Sequence, residues 1–448
     1  MTKRILCGMA SMALLFAGSV AQAQQVAGKI TLKQAVETAL ANNLAVKQSE
    51  LLMQTAAVNL NQSKGNILPN ISGNINHFAN QGRNIDPSSN GYVNEKNTTA
   101  NYSFTGNVTL FNGLRLMNAL KQNQYAAEAS KMEWQQSKDR LMVDVMLAFL
   151  TVLNNQDLLE QARKQVEVSK NQVDRLDLMN KDGAIKPSDL SDLKGQYATD
   201  QLSLINAKNT LEASKVILVQ FLNVPYDKDL MAEQLGADQF DLNYSATPDS
   251  IYESAFHQLA IIKGYELRSK SYEKEVSAAK GNLYPSIGLG AGYATNYSST
   301  AKDQLNNKIS YSTQLKNNYG TYFGAGINIP ILNNFRYRNQ VRLARIDWKN
   351  AQFIEQTSKI QLKQNVERDY FNMTAAIDRY KTLTEQVAAY IESFRAAEIR
   401  FNDGVGTSVD YIIAKNNLDR AKSNLIIARY DYLLRTKILD YYQSKPLW

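Results

Sequence analysis

The chain has 448 residues and a mass of 50.3 kDa, with 44% apolar and 21% charged residues. That balance excludes a disordered chain and a conventional multi-span helical membrane protein. Two His and one Cys nearly exclude a His/Cys metal centre or a thiol- or imidazole-based catalytic site. A net charge of +8 without a Lys/Arg run argues against a nucleic-acid partner.

The N-terminus reads as a secretory leader. Lys3-Arg4 is a basic start, Ile5 to Gly18 is mostly apolar, and Ala21-Gln22-Ala23 is a small-x-small site, so cleavage is expected after Ala23. The alternative, an uncleaved anchor, needs an apolar run of about 20 residues. Cys7 leaves with the leader, so the mature chain is expected to hold no disulfide.

Thr31 to Ser63 has a helical pattern, with Thr31 as N-cap, and stops at Gly65 ahead of Pro69. Ile71 to Ala79 and Asn101 to Phe111 alternate as strands do. Asn80 to Ala100 between them reads as an exposed loop. Gly113 to Lys181 lacks proline and would make one helix of about 100 Å. After a turn, Pro187 to Asn223 makes a helix of about 55 Å. The segment 223–249, with Pro225, Gly236 and Pro248, reads as a linker.

The same order then recurs, giving repeats 24–222 and 250–448. Lys64-Gly65-Asn66-Ile67-Leu68-Pro69 returns as Lys280-Gly281-Asn282-Leu283-Tyr284-Pro285, an offset of 216. Leu110-Phe111-Asn112-Gly113-Leu114-Arg115 returns as Ile331-Leu332-Asn333-Asn334-Phe335-Arg336, an offset of 221. Ile287 to Tyr293 and Phe323 to Ile329 again alternate, with an expected exposed loop from Asn296 to Asn318. Gly288-Leu289-Gly290-Ala291-Gly292 lies inside this alternation and does not fit a phosphate loop.

Leu159, Ala162, Val166, Ser169, Val173 and Leu176 step by 3 and 4, as do Leu190, Leu193, Tyr197, Asp200, Leu204, Ala207 and Leu211. Their mates at +221 run from Tyr380 to Ala397 and from Tyr411 to Tyr432. The rhythm fits antiparallel coiled-coil packing, with an ordinary helical bundle as the alternative. One long helix matches two short ones end to end, which suits a long hollow α-helical cylinder. Strands of about ten residues can span a membrane, but four cannot close a barrel. Lipid tolerates no open edge, so strands that meet lipid must be shared between chains, and three chains would supply twelve. A soluble strand pair is the other reading. The fold class expected is therefore mainly α with β, a coiled-coil barrel joined to a shared β-barrel formed by segments 70–111 and 286–331.

Phe401-Asn402-Asp403-Gly404-Val405-Gly406-Thr407-Ser408-Val409-Asp410-Tyr411, its counterpart Lys181-Asp182-Gly183 through Asp189-Leu190, and the Gly-Asn-x-x-Pro entries resemble the TolC family of bacterial outer membrane efflux proteins. The resemblance spans nearly all of the chain beyond the leader. It implies a homotrimer with a twelve-stranded barrel in outer membrane lipid and an α-helical tunnel through the periplasm. It also implies passive export of small molecules or proteins, no enzymatic activity and no cofactor. The implied partners are a periplasmic adaptor and an inner-membrane transporter of the RND or ABC kind. Asp189 and Asp410 match the family's acidic ring at the periplasmic constriction. Gly183, Gly404, Phe401, Gly406 and Thr407 match the tip turns that adaptors touch. Both acids also read as helix-capping residues at N3, behind Pro187 and Thr407. Gly183 and Gly404 read as helix stops. The sequence departs from the family at Gly406 and Ile185, where a basic residue is usual. It departs again at Ile413, where a second acid is usual, and at Phe401, which replaces a gate tyrosine. The competing functions are a soluble periplasmic coiled-coil adaptor or scaffold, which would not need membrane-length strands, and a secreted hydrolase, for which no nucleophile-base pair is found.

Overall fold

The computed structural model describes residues 28–85, 90–94, 96–182, 185–235, 242, 244–305 and 307–447. The leader with its cleavage site, Gly183 and Trp448 lie outside the described residues. The chain divides into two compact units. The first comprises Met1–Gln48, Ser137–Gln258 and Leu362–Trp448, and the second Ser49–Gln136 and Leu259–Gln361.

The elements run β1 (Lys29–Ile30), α1 (Leu32–Asn42), α2 (Leu44–Gly65), β2 (Asn70–Asn80), β3 (Arg83–Ile85), β4 (Tyr92–Asn94), β5 (Asn97–Asn112), α3 (Arg115–Lys181) and α4 (Pro187–Leu222). They continue as β6 (Met231–Ala232), α5 (Pro248–Gln258), α6 (Ala260–Gly281), β7 (Ser286–Ser298), α7 (Tyr311–Asn317), β8 (Gly320–Asn328), α8 (Arg336–Asn402) and α9 (Ser408–Tyr442). The two long helices have 67 residues each.

Two expectations need correction. The helix from Thr31 starts as expected: Thr31 and Gln34 form a reciprocal capping box. It is not continuous, however. Asn43 takes an extended ψ of 124°, and its side chain accepts from the Ala45 amide at 2.9 Å, restarting a second helix. Leu259, 216 residues on, breaks the second repeat with ψ 127°. The connections read as exposed loops also hold structure. β3 and β4 pair as a hairpin. α7 is capped by Ser310, and Gln314 is buried while bonding both main-chain groups of Ser298.

In the first unit the coiled-coil rhythm is visible as burial. Every seam residue from Leu159 to Leu176 and from Leu190 to Leu211 is buried or half-buried, as are the mates at +221. Val145, Met146, Phe149, Leu153, Leu218, Leu222, Ile251 and Leu439 are fully enclosed. Each contributes about 1.5–3 kcal/mol by leaving water. The parallel pair β1–β6 fixes the linker to the start of the chain.

In the second unit one antiparallel sheet has the order β2-β5-β7-β8. The helices keep the same order. Asn123 on α3 donates to Ser63 on α2 at 2.7 Å. Arg268 on α6 holds Glu133 and Ser130 on α3 at 2.7 and 3.1 Å. Burial, with the Asp347 carboxylate of α8 adding to it, holds the Glu275 carboxyl of α6 above the usual range. Wall and sheet therefore read α2·α3·α6·α8 and β2·β5·β7·β8. At the strand-to-helix junction Gly113 has φ +65°, and a Cβ there would lie 2.4 Å from the Gly281 carbonyl oxygen. Its repeat mate Asn334 has φ 53°, and the next residues, Leu114 and Phe335, both have φ 61°.

Candidate functional site

Two regions gather the residues that the sequence singled out: the faces and edges of the sheet, and the paired helical turns of the first unit.

Register assigns each strand residue to a face. Ile71, Gly73, Ile75 and His77 pair with Gly106, Phe104, Tyr102 and Ala100. These continue through Ala291, Tyr293, Thr295 and Tyr297 on β7, where Ala291 pairs with Phe323 and Ile287 with Ile327. The opposite face collects Ser72, Asn74, Asn76, Ser103, Thr105, Gly288, Gly290, Gly292, Gly324 and Gly326. A bulge between Thr109 and Phe111 brings Phe111 opposite Ile287, on the apolar face. The apolar face of the edge strands is open: Ile75 is 67% exposed, Ile327 66% and Phe323 78%. Such a contiguous apolar face marks a surface made for lipid or a partner. At one end of the sheet His77 bonds Tyr102, which bonds Tyr311, and Tyr293 stacks on Tyr319. Aromatic rings of this kind suit a membrane–water boundary.

At the helical turns, Pro187 is N1 of α4 and Thr407 is the N-cap of α9, accepting from the Asp410 amide at 3.1 Å. Asp189 and Asp410 thus lie in the first turns of their helices, where the dipole favours an acid. They are treated differently. Asp410 is exposed and accepts from Thr407 Oγ1 at 2.8 Å. Asp189 is half-buried and reaches the other turn: Ser408 Oγ lies 2.9 Å from Asp189 Oδ1 and 2.8 Å from Asp192 Oδ2. One hydroxyl proton serves two carboxylates, so Ser408 ties both to α9. Ser408 and Asp192 were not singled out from sequence, because a serine behind an N-cap threonine carries no signal by itself.

Gly404 has φ +75° and the amides of Val405 and Gly406 both donate to the Arg400 carbonyl, closing the α8–α9 turn. A Cβ on Gly406 would meet Phe401 N at 3.1 Å, so the turn is tight at that position. Phe401 packs on Tyr411 with ring centroids 5.2 Å apart. Both belong to an apolar cluster with Leu176, Leu190 and Leu193, which joins the two turns. A cleft of about 250 Å³ lies beside it, lined by Arg175, Lys186, Asp189, Phe401, Gly404 and Thr407. The Tyr411 hydroxyl is buried without a hydrogen-bond partner among the described residues, and burial pushes its pKa up.

Further along α4 and α9 is a buried charge cluster. Lys415 Nζ donates to Asp200 Oδ2 at 2.8 Å and to Asp419 Oδ2 at 2.7 Å. Gln196 and Asn416 exchange amide hydrogen bonds at 3.0 and 3.1 Å alongside. Burial raises the Asp419 carboxyl above its usual range, against the pull of Lys415. Lys415 was not singled out from sequence; the one feature that could have pointed to it is a carboxylate, Asp200, at a seam position.

A family profile described as outer membrane efflux protein matches residues 35–224 and 260–439, more than half of the chain. Outer membrane protein TolC of Escherichia coli (strain K12) is 22% identical over 410 residues, covering 90% of this chain and 80% of that protein. Toxin and drug export protein A of Aggregatibacter actinomycetemcomitans is 22% identical over 414 residues, covering 90% and 83%. Among solved structures, the outer membrane protein VceC of Vibrio cholerae superposes with a TM-score of 0.76 at 13% identity, covering 92% of this chain and 94% of that one. The CmeC outer membrane channel of Campylobacter jejuni gives 0.76 at 15% identity, covering 93% and 87%. These structures share the fold of this chain.

Proposed function

The chain belongs to the outer membrane efflux protein family, and on that premise we propose that three copies close one twelve-stranded barrel in the outer membrane. The protein is an export duct of that membrane, passing small molecules or proteins outward without chemistry of its own. The observation that carries the trimer is the sheet. It has four antiparallel strands, an apolar face left open and two unpaired edges. β2 and β8 run in opposite directions, so joining β8 of one copy to β2 of the next keeps every pair antiparallel. A membrane accepts such a sheet only when its edges are closed.

Energy for transport comes from outside the duct. A periplasmic adaptor contacting the turns around Gly183, Phe401, Gly404, Gly406 and Thr407 would link it to an inner-membrane transporter. Asp189 and Asp410 would stand at the periplasmic constriction, two carboxylates per chain, and favour cations there. Their capping role and this role are compatible. The exposed apolar sheet face counts against a soluble periplasmic scaffold.

The test is native mass measurement of the detergent-extracted chain, followed by conductance in planar bilayers. A trimer that opens discrete channels is expected. A soluble monomer in the periplasmic fraction would overturn the reading.

A further inference from the structure

The two repeats already meet once inside each chain, and that meeting is a template for the contact between chains. Repeat one presents β5 and α3; repeat two receives them with β7 and α6. The mates of β5 and α3 are β8 and the first part of α8, at +221; the mates of β7 and α6 are β2 and α2, at −216. Those mates are the outer members of the order in both sheet and helices.

Resting on the trimer reading, we infer that β8 and α8 of one copy dock on β2 and α2 of the next in the register that β5 and α3 hold on β7 and α6. Transferring the pairs gives Ile327 opposite Ile75, from Gly106 opposite Ala291. It gives Ile329 opposite Gly73, Ala325 opposite His77 and Phe323 opposite Ala79, from the pairs at Val108, Phe104 and Tyr102. Each transferred pair keeps its residues on the face assigned within the chain, and a slip of one residue would put every pair on opposite faces. Beyond the bulge Leu332 falls opposite Ile71. Pro330 then stands beside the bulge, where a residue lacking an N–H is tolerated. This accounts for β8 ending at Asn328 while its mate β5 runs to Asn112. The segment Ile329 to Asn333 lacks the strand that would hold it, and Ile331 is 93% exposed.

The helices supply an independent check in their chemistry. Within the chain Arg268 grips Glu133 and Ser130. The mates of these three residues are Leu52, Ile354 and Ala351. A polar triad inside the chain becomes an apolar triad between chains, all three members changing together. Leu52 is 69% exposed within the single chain. Exposed heptad stripes flank it on both sides of the joint: Leu51 and Val58 on α2, Ile346, Phe353 and Ile360 on α8. The second copy is thus recognised by apolar packing where the same geometry inside the chain uses an ion pair, which keeps the two kinds of joint from exchanging.

The test uses the full chain with Cys7 replaced by Ser. Ile75→Cys with Ile327→Cys should give disulfide-linked dimers and trimers on oxidation, since facing strand residues have Cβ atoms within disulfide reach. Ile75→Cys with Ala325→Cys, a slip of two, should not link. In parallel, Leu52→Arg alone should abolish most trimer recovery, and adding Ile354→Glu should restore it by rebuilding the internal ion pair. A trimer that links through the 75/325 pair, or one that Ile354→Glu fails to rescue, overturns this register and leaves the trimer reading standing. A chain that is monomeric by native mass overturns both.

Discussion

Lys415 on α9 and Asp200 on α4 form a buried ion pair, Nζ to Oδ2 at 2.8 Å, with side chains 3% and 7% exposed. Asp419 adds a second carboxylate at 2.7 Å. Replacing Lys415 by Met would leave two acids in a dry interface with no cation. The loss of one partner of such a group costs about 3–5 kcal/mol. Its repeat mate Lys194 pairs Asp177 at the surface at 3.6 Å and is half exposed. Lys194→Met should cost less than about 1 kcal/mol. Urea unfolding of the two variants should separate them clearly; equal midpoints would show the buried pair to be inert.

Asp419 gives this interface a pH dependence of known sign. Burial raises its folded pKa above the ordinary carboxyl value, so folding favours the neutral acid. Its contribution is fully present below the unfolded pKa of about 3.9 and is lost as pH rises through the folded value. Comparing wild type with Asp419→Asn at each pH cancels the carboxylates outside this cluster, and Asp200 is the one that remains linked to it. Wild type should lose stability relative to the variant as pH rises across that window. A difference that does not change with pH would contradict the burial of the carboxyl.

Backbone packing makes a sharp contrast among glycines. Gly113 combines φ +65° with a Cβ position 2.4 Å from the Gly281 carbonyl oxygen and 2.8 Å from Tyr284 Cβ. Gly324 has open space around its Cβ position. Gly113→Ala must therefore shift backbone and should destabilise the folded chain by about 1–3 kcal/mol. Gly324→Ala should stay within about 0.5 kcal/mol. Heat-induced unfolding in detergent would read both. A tolerated Gly113→Ala would mean that the junction is looser than its geometry indicates.

Much of this was legible because the chain states its pattern twice. The alternation at Ile71, Ile75, Ile287 and Ile327 marked the strands and their apolar face before pairing was known. Thr407 and Pro187 marked helix starts by local chemistry that needs no tertiary context. What stayed hidden depends on groups distant in sequence. The break at Asn43 competes with a good helical pattern on both sides, and Leu259 breaks the other repeat with no capping side chain. Ser408 gains its meaning only from Asp189 and Asp192, more than 200 residues away. Asp200 lay in the seam series as a charged residue, but nothing in the spacing named Lys415, whose mate Lys194 lies at the surface.

The Tyr411 hydroxyl tests how much that interior tolerates. The ring sits in the apolar cluster between Phe394 and Phe401, with centroids 5.4 and 5.2 Å away. Its hydroxyl has no partner among the described residues, and an unsatisfied buried group of this kind costs about 1–3 kcal/mol. Tyr411→Phe removes the group and keeps the ring, so stability should rise by up to about that amount. Burial raises the Tyr411 pKa, so the hydroxyl stays neutral at ordinary pH and the gain should not change between about pH 6 and 8. Thermal midpoints of wild type and Tyr411→Phe across that range would measure the gain. A loss of stability in Tyr411→Phe would show that the hydroxyl finds a partner in the assembled protein.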